Sequence, residues 1–229
     1  MQRSNIYILV FSAIMTVLIG GAMSLTSVLL KPAQDKQVEL DTKKKILGAV
    51  MDISTFNTPE EILNLYKARV KSVVVDIEGE IIATDEKGNP LIAEKVNAQK
   101  NHKIDREERL YPIYMILNES DPNVVEAYVF PMFGLGLWDW ISGYVALESD
   151  LNTVKGVAFD HKGETPGLGA RITEEKVRNR YKENKKIFSD AGNLESITMV
   201  KGEGITGLSM HEVDGLSGAT ITAKGVNKM

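Results

Sequence analysis

Hydroxyl-bearing and small residues are concentrated in one short stretch near the end of the sequence. The stretch DGLSGATIT, residues 214–222, holds Ser217, Thr220 and Thr222 among glycines and an alanine. Hydroxyl and backbone N–H groups suit a phosphate, and small residues let a bulky ligand approach the backbone. Ser217 lacks the G-x-S-x-G turn that exposes the nucleophile of many hydrolases. The stretch therefore favours a phosphate-bearing ligand over serine-hydrolase chemistry.

Two further glycine-rich segments could help to hold such a ligand. They are FPMFGLGLWDWISG at 130–143 and HKGETPGLGAR at 161–171. Each segment alone is typical of a turn between strands. Trp138 and Trp140 add apolar area on which a planar ring can lie. Together the three segments predict a site for an aromatic cofactor that carries a phosphate.

The composition and the remaining motifs exclude several other chemistries. The chain has no cysteine, so disulfides, thiolate nucleophiles and cysteine-ligated clusters are excluded, and redox chemistry needs a bound cofactor. Neither G-L-G triplet, at 134–136 or 167–169, extends to the G-x-G-x-x-G of a dinucleotide site. His161 and Glu164 would need a further metal ligand, so we predict no metal site. A net charge of -4 offers no basic surface for nucleic acid.

The first part of the chain predicts a membrane anchor. Residues 6–30 contain no acid or base, and about 25 helical residues span roughly 37 Å. A cleaved signal peptide is the alternative, because Arg3 precedes the apolar run and Ala22-Met23-Ser24 resembles a cleavage site. We favour the retained anchor because the apolar run continues to Leu30. The lysines at 31, 36 and 43–45 would keep the domain in the cytoplasm, but this rule is weak for long domains.

The rest of the chain predicts an α+β domain with a mostly antiparallel sheet. Residues 31–70 indicate a helical connector, with a second helix beginning at Thr58-Pro59. A β-hairpin is expected around Glu78-Gly79-Glu80, and strands at 124–130, 143–147, 154–159 and 196–200. A helix capped by Thr173 is expected to continue to Phe188. We divide the chain into a tail and transmembrane helix (1–30), the connector (31–70) and one ligand-binding domain (71–229).

The segment DGLSGAT, residues 214–220, resembles the flavinylation motif D-G-x-[ST]-G-A-T of the FMN-binding domain family. The resemblance implies that Thr220 carries FMN through a phosphoester bond, and that a separate flavin transferase attaches it. It also implies the other residues beside the cofactor, which are Asp214, Gly215, Ser217, Gly218, Ala219 and Thr222, the loop residues Glu164, Thr165, Gly167, Leu168 and Gly169, and Trp138.

The similarity extends beyond this motif. Residues 111–116, 134–150 and 161–172 are similar to segments of the C subunits of Na+-translocating NADH:quinone reductases. This implies an electron-transfer subunit whose FMN is one station between NADH and quinone in a sodium-pumping complex. It also implies a chain that is inactive alone, contacts other subunits, and holds its domain on the periplasmic side of the inner membrane. We expect a longer terminal helix than the nine residues that follow Thr220.

Three other functions stay open at this point. The G subunit of Rnf-type ferredoxin:NAD+ oxidoreductases shares the anchor and two of the loops, although residues 111–116 and the Trp138 loop favour the quinone reductase. A membrane-anchored, non-redox module could use the same loops for an ordinary phosphate ligand. An independent flavin enzyme would need a proton donor, for which His161 and Glu164 are the nearby candidates.

Overall fold

The computed structural model describes residues 5–56, 58–85, 87–182 and 184–229. Its first helix, α1 (Asn5–Gly48), is long and apolar enough to cross a bilayer, and residues 6–30 of this helix are exposed. By its contacts the chain forms a first unit that ends at Asp41 and a second unit, Thr42–Met229. Helix α1 continues without a break past residue 30, and the division at 30/31 and 70/71 stays a prediction. Arg3, which precedes the apolar run in the signal-peptide alternative, lies outside the described residues.

The second unit is built on a five-stranded antiparallel sheet in the order β1–β2–β3–β4–β5. The strands are β1 (Val70–Val75), β2 (Tyr111–Leu117), β3 (Val125–Leu135), β4 (Trp140–Glu148) and β5 (Val154–His161). A separate parallel pair joins β6 (Thr198–Met199) to β7 (Glu212–Val213). The other helices are α2 (Pro59–Arg69), α3 (Ala98–Asn101), α4 (Glu175–Asn179) and α5 (Thr220–Val226), with 3-10 turns at Ala93–Lys95, Arg106–Glu108 and Gly169–Thr173. This architecture confirms the predicted α+β class.

Both faces of the sheet are covered. Because side chains alternate along a strand, Ile141 and Val145 of β4 face the core that holds the α4 and α5 residues Val177 and Ala223. On the opposite face, the end of α1 is anchored by an ion pair between Lys45 and Asp160 (2.6 Å). A Cβ atom on Gly156 would collide with the carbonyl oxygen of Ala49, so glycine lets this segment approach β5 closely. The sheet is thereby a buried layer from which loops extend.

Several predicted elements are confirmed. Helix α2 begins with a reciprocal capping box, in which the Glu61 amide donates to Thr58 and the Thr58 amide donates to the Glu61 carboxylate. The apolar runs at 143–147 and 154–159 lie within β4 and β5, and the run at 124–130 lies in β3 except for Val124, which precedes the strand; all three strands extend further than predicted. The hydrophobic pattern therefore located the central strands correctly.

Two predicted elements need correction, and one strand was not predicted. The hairpin around Gly79 is reduced to a single bridge between Val75 and Ile81, because β1 pairs along its length with β2 instead. The strand expected at 196–200 is only the two residues of β6. No sequence expectation had identified β2 as a strand. The partner of β1 thus lies some 40 residues further along the chain, as the pairing of Val70 with Ile116 illustrates.

The helix predicted from Thr173 to Phe188 is also wrong. Thr173 ends a 3-10 turn, where its hydroxyl donates to the Ala170 carbonyl, and α4 is only five residues long. Asn184 has a positive φ of 54°, which a continuing helix does not allow, and Glu183 lies outside the described residues. The chain leaves the helix to cover the edge of β5, where the Val154 amide donates to the Lys185 carbonyl (2.8 Å).

Candidate functional site

The structure brings the three glycine-rich segments together at one end of the sheet. The first is the β3–β4 connection with Gly136 and Trp138, the second follows β5 and contains Glu164, and the third leads into α5. Hydrogen bonds to Glu164 link all three segments. The sequence predicted that these segments act at one site, and the fold places them in mutual contact.

Glu164 is the centre of this arrangement. Its side chain is buried, with 4% of the residue exposed. One carboxylate oxygen accepts hydrogen bonds from the Leu137 and Trp138 amides (2.8 and 3.1 Å), and the other accepts one from the Thr222 hydroxyl (2.5 Å). Cβ atoms on Gly136 or Gly169 would collide with this carboxylate, so glycine is needed at both positions. We call Glu164 and its three donors the carboxylate clasp.

The hydrogen bonds of the clasp also set the charge of Glu164. Burial alone raises the pKa of a carboxyl group, because it penalises the charged form. Here the hydrogen bonds from Thr222, Trp138 and Leu137 outweigh burial, and the pKa of Glu164 is lowered from its ordinary value. Glu164 is therefore ionised at neutral pH and joins the loops as an anion, and its predicted contact with the cofactor stays a prediction.

Thr220 and Thr222 lie in opposite environments. Thr220 is the first residue of α5 and is exposed, whereas Thr222 is 1% exposed and donates its hydroxyl to Glu164. Leu216 and Ala219 are likewise buried in the core, while Ser217 and Gly218 are exposed. The motif thus buries Gly215, Leu216, Ala219 and Thr222 and leaves Ser217 and Thr220 as its two accessible hydroxyls. Thr222 belongs to the clasp, and its predicted contact with the cofactor stays a prediction.

Exposed apolar side chains lie close to this outer side of the motif. Leu168 is 43% exposed, and its methyl group lies 2.7 Å from the position that a Cβ atom would take on Gly218. Gly218 has a φ of 74°, which glycine adopts without strain. Trp138 is 70% exposed, and its indole N–H donates to the Thr165 hydroxyl (3.2 Å). Leu168, Trp138 and Thr165 therefore offer apolar area and one hydroxyl beside the motif.

The turn between Thr165 and Ala170 holds Leu168 in place. The amides of Leu168 and Ala170 both donate to the Thr165 carbonyl (3.1 and 3.2 Å), and Gly167 has a φ of 76°. Trp140 does not join Trp138 as the sequence suggested, because its ring stacks on Phe133 with 4.7 Å between centroids. Of the two tryptophans, Trp138 is the one that contacts this turn, through its hydrogen bond to Thr165.

Asp214 and Gly215 connect the motif to residues 200–205. The Asp214 carboxylate accepts hydrogen bonds from the Gly204 and Ile205 amides, both at 3.0 Å. A Cβ atom on Gly215 would collide with the carbonyl oxygens of Val200 and Gly202. These contacts join the motif to the loop that precedes it, so both residues shape the loop in this structure. The remaining predicted residues, Gly167 and Gly169, shape the turn that carries Leu168.

Sequence reasoning missed three charged residues outside the motif. Arg171 donates two hydrogen bonds to Glu203 (2.6 and 3.0 Å), and Arg180 donates to the Asp214 and Gly215 carbonyls (2.9 and 2.6 Å). The Arg171 guanidinium and the Ser217 amide are the first causes that lower the pKa of Glu203 to about 2. The signal in the sequence was weak, because isolated charges in a loop are usually solvated.

His161 does not form a metal site with Glu164. In the part of the chain that the structure describes, no three histidine, aspartate or glutamate side chains are grouped to bind an ion. His161 Nδ1 is buried and has no hydrogen-bond partner among the described residues. Both oxygens of Glu164 are already used by the clasp. The hydrogen bonds of Glu164 therefore connect the loops.

Comparison with known proteins agrees with this geometry. The family model for the FMN-binding domain matches residues 136–229, a range that includes Glu164 and the whole 214–222 stretch. The chain is similar to the C subunit of the Na(+)-translocating NADH-quinone reductase of Pseudomonas aeruginosa, with 32% identity over 99% of this chain and 88% of the relative. The corresponding subunit of Neisseria meningitidis is 34% identical over 96% of this chain and 84% of its own.

Two solved structures have the same fold. The crystal structure of the C subunit of the Na(+)-translocating NADH-quinone reductase from Parabacteroides distasonis superposes with a TM-score of 0.71 at 32% identity, covering 87% of this chain and 90% of that one. Shewanella oneidensis NqrC superposes with a TM-score of 0.67 at 26% identity, covering 84% of this chain and 89% of that one. The similarity to these relatives therefore extends over most of both chains.

Proposed function

Because the chain belongs to the family of C subunits of the Na+-translocating NADH-quinone reductase, we infer that it is an electron-transfer flavin subunit of that membrane complex. The observation that carries this conclusion is the match of the FMN-binding domain model to the segment that contains all three hydrogen-bonded loops. FMN supplies the one- and two-electron chemistry, and the chain binds and orients it. We place the pumping of sodium with the whole complex, and we propose that this chain has no reductase activity alone.

We propose that FMN is bound covalently to Thr220. In this reaction the Thr220 oxygen attacks the FMN phosphorus of FAD, the bond to the AMP phosphate breaks, and AMP leaves. A flavin transferase accepts the hydroxyl proton and stabilises the leaving group, so the chain needs no base beside Thr220. The exposure of Thr220 supports this proposal, whereas the Thr222 hydroxyl is buried and already donated to Glu164. The intact mass of the chain from its native membrane tests it, and a mass equal to the bare sequence would refute it.

We propose that the flavin ring lies against Leu168, Trp138 and Thr165. These residues are exposed and lie beside the motif, where they present apolar area and a hydroxyl to a planar ring. Leu168→Ala and Thr165→Val are expected to keep covalent FMN but to shift its absorption band and reduction potential, since contacts around the ring tune its electronics. Val124→Ala, at an exposed position just before β3 begins, is the control. Unchanged spectra and potentials in both loop variants would remove this surface from the flavin site.

The chain is anchored in the membrane by the apolar part of α1. We propose that this segment is retained in the mature protein and that the second unit lies in the periplasm. Protease added to intact spheroplasts is then expected to digest the domain, and the purified chain is expected to begin near Met1. Protection in spheroplasts with digestion in inverted vesicles would place the domain in the cytoplasm. An N-terminus near Leu25 would instead show that a signal peptide is cleaved.

A further inference from the structure

Two charged residues outside the flavinylation motif, Glu203 and Arg180, contact its backbone, and a third, Arg171, contacts Glu203. Glu203 accepts a hydrogen bond from the Ser217 amide (3.1 Å), and the guanidinium of Arg180 donates to the carbonyls of Asp214 and Gly215. Arg171 holds Glu203 from the other side through two hydrogen bonds. The side chains of Arg180 and Glu203 are only 11% and 23% exposed, so these bonds are partly shielded from water. Charge-assisted bonds of this kind are about twice as strong as neutral ones.

The two arginines connect the motif to rigid parts of the domain. Arg180 directly follows α4, which is fixed in the core by Val177 and Tyr181, both nearly fully buried. Arg171 belongs to the 3-10 turn that begins one residue after Leu168. Glu203 receives hydrogen bonds from both arginines. The network therefore connects the motif both to the sheet core and to the turn that carries Leu168.

Regular secondary structure does not hold the loop that precedes the motif. Residues 200–211 contain no helix or strand, and Gly202, Gly204 and Gly207 all have positive φ. Glycine loses more conformational freedom on ordering than any other residue, so such a loop is costly to fix. The side chains that fix it are balanced in charge, with Arg171 and Arg180 facing Glu203 and Asp214. No cation of this group is left over for a phosphate, which argues for a positioning role.

We propose that Glu203, together with Arg171 and Arg180, is a positioning unit that fixes the segment bearing Thr220 against the Leu168 turn. That the attached cofactor is FMN on Thr220 rests on the proposed function. A flavin joined through a phosphate and a ribityl chain has many rotatable bonds, so a mobile attachment point would disperse the ring further. By fixing residues 214–217, the unit limits the positions that the ring can take beside Leu168 and Trp138.

Hydrogen exchange on the full chain in detergent, without flavin, tests the positioning directly. Glu203→Ala is expected to accelerate exchange of the Ser217 amide about tenfold, and also that of the Ala219 amide, which does not contact Glu203. Glu203→Gln keeps an oxygen acceptor and should restore part of the protection. Arg69→Gln removes a similarly buried arginine from a remote ion pair with Glu126 and is the matched control. Ala219 protection equal to that of the unmodified sequence in Glu203→Ala would overturn the proposal.

Fluorescence anisotropy of covalent FMN is a second test, because it reports the mobility of the flavin ring in protein that is still folded. In protein that remains folded, as judged by tryptophan fluorescence, Glu203→Ala and Arg180→Gln are expected to lower the flavin anisotropy, whereas Arg69→Gln leaves it unchanged. A chain that carries FMN and keeps its full anisotropy in both loop variants would contradict the positioning role. If the unmodified sequence acquires no FMN at all, covalent attachment fails, and the exchange of Ala219 alone decides on the positioning unit.

Discussion

Replacing Thr220 by alanine is expected to abolish covalent FMN completely while leaving the domain folded. The reason is that attachment requires an accessible hydroxyl oxygen, and the side chain of Thr220 is the one that the motif presents at the start of α5. Alanine is a good helix former, so α5 is expected to persist. The measurement is the intact mass of the full chain co-expressed with a flavin transferase. The unmodified sequence should gain one FMN less one water, and Thr220→Ala should gain nothing.

Two variants in the same stretch provide controls. Ser217→Ala removes the other accessible hydroxyl but keeps the backbone amide that donates to Glu203. Thr222→Ser keeps the hydroxyl that donates to Glu164 and removes only a methyl group. Both variants are expected to retain the adduct. An adduct that survives in Thr220→Ala and maps to Ser217 by proteolysis would move the attachment site. In a host without the transferase, an adduct would show that the domain flavinylates itself.

The parts of the fold that followed from sequence are those governed by local chemistry. The Thr58-Pro59 start of α2 needed only the capping box, and the strands β3 to β5 carry apolar runs that are bounded by turns. The three glycine-rich loops were also visible, because glycine at positive φ or in close contact leaves a clear compositional mark, as at Gly218. The β3–β4 loop and the loop after β5 meet at one end of the sheet because β3, β4 and β5 are antiparallel, whereas the third loop is brought there by the packing of α5.

The errors arose where distant partners decide the structure. The run after Gly79 has the composition of a strand, yet β1 pairs with β2, which a local pattern does not reveal. The pattern after Thr173 is helical, but the chain turns at Asn184 to cover the edge of β5. Tertiary contacts outweighed local propensity at both places.

The candidate site shows the same division. The role that we propose for Thr220 rests on its motif, whereas the clasp depends on a hydrogen bond between Glu164 and Thr222, which lie 58 positions apart. Both residue types suit a phosphate cofactor, so their types alone pointed to the ligand. Their burial and mutual contact show that they also connect the protein's own loops, which the sequence could not reveal. Residue type thus predicted the class of ligand, and distance in the sequence concealed the contacts between the loops.

Removing the Glu164 carboxylate is expected to destabilise the domain strongly. Glu164→Ala leaves three donors without their acceptor, the buried Thr222 hydroxyl and the partly buried amides of Leu137 and Trp138. An unsatisfied buried group costs about 1–3 kcal/mol and a partly buried one costs less, so we expect a total of about 2–4 kcal/mol. Glu164→Gln keeps one oxygen acceptor and should cost about 1–2 kcal/mol. Glu107→Ala, at an exposed carboxylate, is the control and should have little effect.

Urea unfolding of the full chain in detergent measures these differences. The two tryptophans of the chain, Trp138 and Trp140, both lie at the β3–β4 connection, so their fluorescence reports on the region that the clasp holds. Glu164→Ala should shift the midpoint well below that of Glu164→Gln, with the same slope if the unfolded state is unchanged. Equal midpoints for Glu164→Ala and Glu107→Ala would show that the carboxylate contributes nothing to stability.

The pH dependence separates the charge of Glu164 from its shape. Its pKa is lowered in the folded state, since the hydrogen bonds from Thr222, Trp138 and Leu137 outweigh burial. A carboxyl group with a lowered folded pKa stabilises the fold above its unfolded pKa, and this stability is lost as the pH falls through the folded value. The difference in the free energy of unfolding between the unmodified sequence and Glu164→Gln should therefore be constant above about pH 5 and decrease at more acid pH. The other carboxylates titrate in both proteins, so their contributions cancel in this difference. A difference that stays constant down to acid pH would mean that the charge of Glu164 does not contribute to stability.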